Sequence, residues 1–158
     1  MKRYIPETVA LTESLSYIGP SEMDTFSRGQ RSEIMRRVRS SGTHPETIVR
    51  GIVRRMGIRY RSCARNLPGK PDVVIVGQRK AILVHGCFWH GHNCEAGKLP
   101  KSNRSYWKKK QAKNALRDSR NARALRSRGW KLMVIWECEI GGSKRLQAKL
   151  WRFLKLKP

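Results

Sequence analysis

Apolar positions in this chain change period several times, and each change marks an element. In "SRGQRSEIMRRVRSSG", beginning at Ser27, residues Ile34, Met35 and Val38 share one face of a predicted helix that Gly42 can end. Thr43 and Glu46 have capping-box spacing ahead of "TIVRGIVRRMG". There Ile48, Val49, Ile52, Val53 and Met56 form a stripe to be buried, and Gly57 stops the helix. "IRYRSC" alternates like a strand, with Ile58, Tyr60 and Ser62 facing one way. "NLPGKP" is a loop. "DVVIV" and "KAILV", joined by "GQR", read as two buried strands of a hairpin. From Tyr106 to Arg128 the chain is rich in Ala, Lys and Arg, which predicts one long basic helix or two shorter ones before Gly129. "WKLMVIWEC" reads as a further buried strand, and "SKRLQAKLWRFLKL" as a closing amphipathic helix with Leu146, Leu150, Phe153 and Leu154 inward. Helices flanking a small apolar sheet make an α/β domain. Residues 1–24 show no clear period and are expected to be a flexible extension, which leaves 25–158 as a single domain.

Charge narrows the partner. Lys and Arg number 35 against 11 Asp and Glu in 158 residues, a formal charge of +24. The excess runs from Arg28 to Arg152 and is not a tail. A compact chain this basic repels itself unless it meets a polyanion, and nucleic acid is the leading one. No segment has the ~20 apolar residues of a membrane span. The N-terminus lacks a run of signal-peptide length. The expectation is therefore a cytoplasmic, nucleoid-associated protein with no membrane partner, whose Cys63, Cys87, Cys94 and Cys138 are reduced. Two disulfides remain formally possible.

"VHGCFWHGHNC", Val84 to Cys94, crowds histidines and cysteines around Phe88 and Trp89. Cys87, His92 and Cys94, with the distant Cys138, would close a tetrahedral zinc site, though they could also be ordinary buried cysteines. Cys63 reads as a small core residue. His85 and His90 are left without a structural job and become candidates for catalysis. Asp72 opens the first strand of the hairpin. It fits a turn or capping group, and equally a ligand for Mg²⁺.

"LPGKPDVVI", "VHGCFWHGHNC", "YWKKKQAKNALRDSRN" and "GWKLMVIWEC" together resemble the very short patch repair endonucleases, bacterial enzymes that nick DNA beside a T:G mismatch left by deamination of 5-methylcytosine. The resemblance runs in order from roughly Thr25 to Glu139. It implies a restriction-endonuclease-like fold, a mixed central sheet between helices. It implies that Asp72 binds catalytic Mg²⁺ with the backbone carbonyl of Val84, and that His90 activates the attacking water. His85 then lies close to the scissile phosphate, and Glu46 orients metal-bound water. Glu46 also has its helix cap as a full reason to exist, and the two roles are compatible. The resemblance assigns Cys87, His92, Cys94 and Cys138 to structural Zn²⁺. It has Phe88, Trp89 and Trp107 enter the base stack, with Met35 approaching from the other groove. The implied partner is double-stranded DNA carrying a T:G mismatch, met by a monomer, with mismatch-repair proteins as further candidates.

Two other readings use parts of the same sequence. A non-catalytic zinc DNA-binding module accounts for charge, zinc and aromatics but not for Asp72, His85 and His90 together. A restriction-type nuclease of the same fold would cut unmismatched DNA.

Overall fold

The computed structural model describes residues 28–38, 41–62 and 64–154; the expected extension over 1–24 and the core reading of Cys63 lie outside them. The helix α1 spans Arg28–Arg37 and α2 spans His44–Arg55. Strands β1, Val73–Ile75, and β2, Lys80–His85, follow, then the one-turn helix α3, Cys87–His90. The long helix α4, Arg104–Ser127, leads into β3, Lys131–Trp136, and α5, Ser143–Leu154, ends the described chain.

The sheet is mixed, in the order β1-β2-β3. β1 and β2 form the expected antiparallel hairpin, Val73 opposite Ile82 and Ile75 opposite Lys80. Its connection is a short 3₁₀ turn ended by Arg79 at φ 48°. β2 runs parallel to β3, with Val84 opposite Ile135 and His85 opposite Trp136. A parallel pair needs a long crossover, and α3 and α4 supply it. The basic stretch is thus one continuous helix.

Strand alternation divides the core. Val73, Ile75, Ile82 and Ile135 pack with Val49, Ile52 and Val53 of α2 and with Leu146, Leu150 and Leu154 of α5. Phe153 is only partly buried against this cluster. The other side of the sheet is approached by α4, which contacts β3.

Three expectations fail for identifiable reasons. "IRYRSC" forms a single antiparallel bridge, Arg61 to Val74, in place of a strand. Its two backbone bonds, each 2.9 Å, both join Arg61 to Val74, the middle residue of the three-residue β1, which leaves one strand residue on either side for a longer ladder. α1 stops at Arg37, short of Gly42, and Ile34, Met35 and Val38 are exposed. Among the described residues that face is left exposed, so no burial rewards extending the helix. β3 is a half-buried edge strand in which only Ile135 is fully buried, because no fourth strand among the described residues covers its outer side.

Candidate active site and metal centre

The C-terminal end of β2 gathers the polar groups. Asp72 precedes β1, and its N–H donates to the Ile82 carbonyl at 3.0 Å. Its Oδ2 accepts the Val84 N–H at 2.7 Å. The carboxylate therefore sits where the hairpin has run out of cross-strand partners. Burial first, and the nearby Glu46 carboxylate after it, push its pKa up to about 6 against the opposing Val84 bond and Arg50 charge.

Glu46 reaches this place from α2 and is buried. Its Oε2 accepts the Gly42 N–H at 2.9 Å, and its Oε1 accepts the Thr43 hydroxyl at 2.9 Å. The expected capping box does not form, since Glu46 takes the Gly42 N–H and not that of Thr43. The carboxylate closes the helix start, but Thr43 makes no side-chain cap bond to the α2 backbone. Its hydroxyl donates to a carboxylate, which is the stronger, charge-assisted bond. Arg50, one turn further along α2, donates from Nη2 to Glu46 Oε2 at 2.8 Å and from Nε to the Asp72 carbonyl at 3.2 Å.

Beyond Val84 come the two spare histidines. Their rings lie parallel, with centroids 3.9 Å apart. His85 is buried, and burial with the adjacent His90 lowers its pKa to about 4, so it is neutral at neutral pH. His90 Nδ1 lies 2.5 Å from Asp118 Oδ2. His85, His90 and Asp118 place ligand atoms within 4.8 Å of one another. A metal binds imidazole in the ring plane, however, and two parallel stacked rings do not aim their lone pairs at one ion. The cluster is better suited to moving a proton: a carboxylate on Nδ1 fixes the tautomer and leaves Nε2 as acceptor.

Asp118 was missed in the sequence. It sits 28 residues from His90 in a helix that is otherwise overwhelmingly basic. A signal was present: Gln111, Asn114 and Asp118 make a polar stripe at helical spacing. α4 uses it to hold three consecutive residues of α3. Gln111 donates to the Phe88 carbonyl at 2.6 Å, Asn114 to the Trp89 carbonyl at 2.8 Å, and Asp118 meets His90.

On the far side of α3, Cys87, His92, Cys94 and Cys138 bring their ligand atoms within 4.8 Å of one another. His92 Nδ1 is 3.7 Å from Cys87 Sγ and 3.4 Å from Cys138 Sγ. A tetrahedron with bonds of ~2.0–2.3 Å places its donors ~3.3–3.8 Å apart, so the set fits a tetrahedral ion and suits a thiolate-preferring metal. Without a cation, burial holds the Cys87 thiol up at about 12, whereas hydrogen bonding to His92 lowers Cys94 to about 7. Gly97 is required in this loop, since a side chain there would collide with the His92 carbonyl. The Trp136 ring joins the two centres. It stacks on His92 at 4.3 Å and meets His85 edge-on at 5.3 Å.

The candidate base-stacking aromatics form one cluster. Trp107 lies edge-to-face with Phe88 at 4.8 Å and with Trp89 at 5.7 Å. Phe88 and Trp89 are half-buried, but Trp107 is only 8% exposed and supports the other two from beneath. Met35 is exposed on α1. An open groove of about 570 Å³ on α4 is lined by Lys110, Lys113, Asn114, Arg117 and Arg120.

Residues 23–96 match the family model described as DNA mismatch endonuclease Vsr. Over 131 residues the chain is 43% identical to "Type II nicking enzyme V.XorIIP" of Xanthomonas oryzae, covering 83% of this chain and 96% of that protein. It is 38% identical over 132 residues to "Type II nicking enzyme V.NmeAIP" of Neisseria meningitidis, covering 84% and 94% respectively. With "DNA mismatch endonuclease Vsr" of Escherichia coli it shares 34% identity over 123 residues, 78% of this chain and 79% of that one.

Proposed function

The chain belongs to the DNA mismatch endonuclease Vsr family, and from that premise we propose that it is a Mg²⁺-dependent DNA endonuclease that nicks one strand beside a T:G mismatch. The observation that carries this reading is the His90–Asp118 pair, stacked on His85 at the strand end that also holds Asp72. A DNA-binding module has no use for that set.

Asp72 and the Val84 carbonyl would hold Mg²⁺. The N–H and carbonyl of one strand residue point to the same side. The Val84 N–H is bonded to Asp72, so its carbonyl faces the same carboxylate. Both donors are hard oxygens, as Mg²⁺ prefers. The bound ion would offset the charge that builds on the phosphate.

The chain's own groups do the rest. His90 accepts the proton of the attacking water at Nε2 as the water oxygen bonds to phosphorus and the P–O bond to the leaving sugar oxygen breaks, that oxygen taking a proton from solvent, while Asp118 holds Nδ1 and stabilises the imidazolium that forms. His85, neutral, donates an N–H toward the phosphate. Glu46 Oε2 is taken by Gly42 and Arg50, while Oε1, with one bond from Thr43, keeps a lone pair with which it would orient a metal-bound water. Zn²⁺ at Cys87, His92, Cys94 and Cys138 fastens α3 to the end of β3. Phe88 and Trp89 enter the stack at the mismatch, backed by Trp107, and Met35 approaches from the other groove. The mixed sheet with helices on its two sides is read as the restriction-endonuclease-like arrangement.

A second reading has its own support: two relatives of higher identity than the E. coli mismatch enzyme are named type II nicking enzymes. One assay separates them. Duplexes of identical flank, carrying T:G or T:A, are incubated with the enzyme with and without Mg²⁺. Nicking of T:G alone, only with Mg²⁺, is expected. Equal nicking of T:A would give the second reading the site.

A further inference from the structure

Arg50 lies between the two carboxylates of the hydrolytic centre. Its Nη2 is 2.8 Å from Glu46 Oε2 and 3.8 Å from Asp72 Oδ1. Its Nε donates to the Asp72 backbone carbonyl at 3.2 Å. All three side chains are largely sequestered, at 17% exposure for Arg50, 7% for Glu46 and 16% for Asp72. Asp72 Oδ2 is taken by Val84 and both Glu46 oxygens by Gly42, Thr43 and Arg50. Asp72 Oδ1 is therefore the oxygen that faces the guanidinium at the longer, looser distance.

A pair of buried carboxylates repels itself, and a cation beside both offsets part of that repulsion. A guanidinium does so permanently, because it does not lose its proton in proteins. Its planar fork also spans two acceptors at once. The position has a cost for function. A divalent cation that approaches Asp72 Oδ1 comes within a few ångströms of a fixed positive charge, in a site too buried for salt to screen it.

We propose that Arg50 is a positioning residue with two opposed effects: it holds Asp72 and Glu46 in register for the reaction, and it weakens the affinity of that site for the divalent cation. The inference rests on the reading of Asp72 as the ligand of the catalytic ion. Affinity and rate are thereby separated in one side chain. Removing the charge makes the ion bind more tightly, and removing the fork makes the bound ion less useful. A residue that merely supported the fold would weaken both.

The experiment is a Mn²⁺ titration of the zinc-loaded protein without DNA, read by water-proton relaxation, with Mg²⁺ competition and a melting curve for each variant. Arg50→Met keeps much of the side-chain volume and loses the charge. It is expected to lower the Mn²⁺ dissociation constant about tenfold, while the nicking rate at saturating metal falls by tenfold or more. Arg50→Lys keeps the charge and loses the fork, so its Mn²⁺ affinity stays within about threefold of the parent while nicking still slows. Arg50→Gln stands in, by the same criterion, if the Met variant does not fold. Asp72→Asn serves as the control for the site itself. If Asp72→Asn binds Mn²⁺ like the parent, the ion lies elsewhere, and both the functional reading and this inference fall. If Asp72→Asn loses Mn²⁺ but Arg50→Met binds it no more tightly than the parent, the inference about Arg50 alone is overturned.

Discussion

At the scale of single residues, catalysis here is a matter of which atoms are already committed. Asp72→Asn preserves size but removes the charge, so nicking should fall by at least about 10²-fold while the duplex is still bound. Asp118→Asn tests the partner of His90. The amide can hold the ring in the wrong tautomer and cannot stabilise an imidazolium, so a loss on the order of 10²–10⁴-fold is expected, again with binding retained. Wild-type rates in Asp118→Asn would show that the short His90 contact is structural. His85, His90 and Asp72 could be singled out in the sequence as candidates, because they stand at strand ends beside a ligand-rich loop, although each also had a bland reading as a satisfied polar or capping group. Asp118 was not. Its role depends on which turn of a 24-residue helix faces α3, and charge counting in so basic a segment hides one acid. The polar stripe Gln111, Asn114 and Asp118 gains meaning only once α3 is seen to lie against it.

At the scale of elements, packing and metal chemistry share the work of holding the site. α2 and α5 cover one face of the sheet, and their stripes were readable from period alone. Leu150, fully buried between them and the strands, should cost about 2–5 kcal/mol as Leu150→Ala, measured by chemical denaturation. The strand expected at "IRYRSC" fails because alternation describes one strand and not whether a partner is long enough to pair with it; β1 is too short. α3 is another matter. A four-residue helix has no intrinsic stability. It is held by two amide bonds from α4, by Asp118 and by the cysteine cluster. Purified protein is expected to carry one equivalent of zinc. Cys138→Ala should lose the metal and melt at lower temperature, since ligand binding is folding free energy at such a site. Normal zinc content and melting in Cys138→Ala would remove that residue from the centre. Because Trp136 lies against both His92 and His85, loss of zinc should also slow nicking in any protein that stays folded.

At the scale of the whole molecule, the proposed function has a charge of +24 and an aromatic cluster divide the task of finding one mismatch among many matched steps. The charge is spread along the chain, and the α4 groove concentrates Lys110, Lys113, Arg117 and Arg120 on the helix whose Asp118 meets His90. Phosphate contacts of this kind carry no sequence information, and they weaken with salt because bound counterions are released. In the proposed function Phe88 and Trp89 work differently. A T:G wobble stacks less well than a matched pair, so prying its step open costs least, and stacking on an aromatic returns ~1–3 kcal/mol per base. That exchange releases no counterions. DNA affinity should therefore fall steeply between ~50 and ~200 mM salt, by on the order of 10³-fold or more if six or more phosphates are neutralised. The ratio of single-turnover nicking rates on T:G and T:A duplexes should stay nearly constant over the same range. Trp89→Ala should do the reverse, keeping the salt slope and the zinc but losing roughly tenfold or more of the ratio, by the same stacking scale. Trp107, buried beneath, should act through its neighbours, so Trp107→Ala is expected to lower both the ratio and the melting temperature. A ratio that collapses with salt in the parent protein, or that survives both Phe88→Ala and Trp89→Ala, would show that selectivity comes from the charged surface and that these aromatics are core.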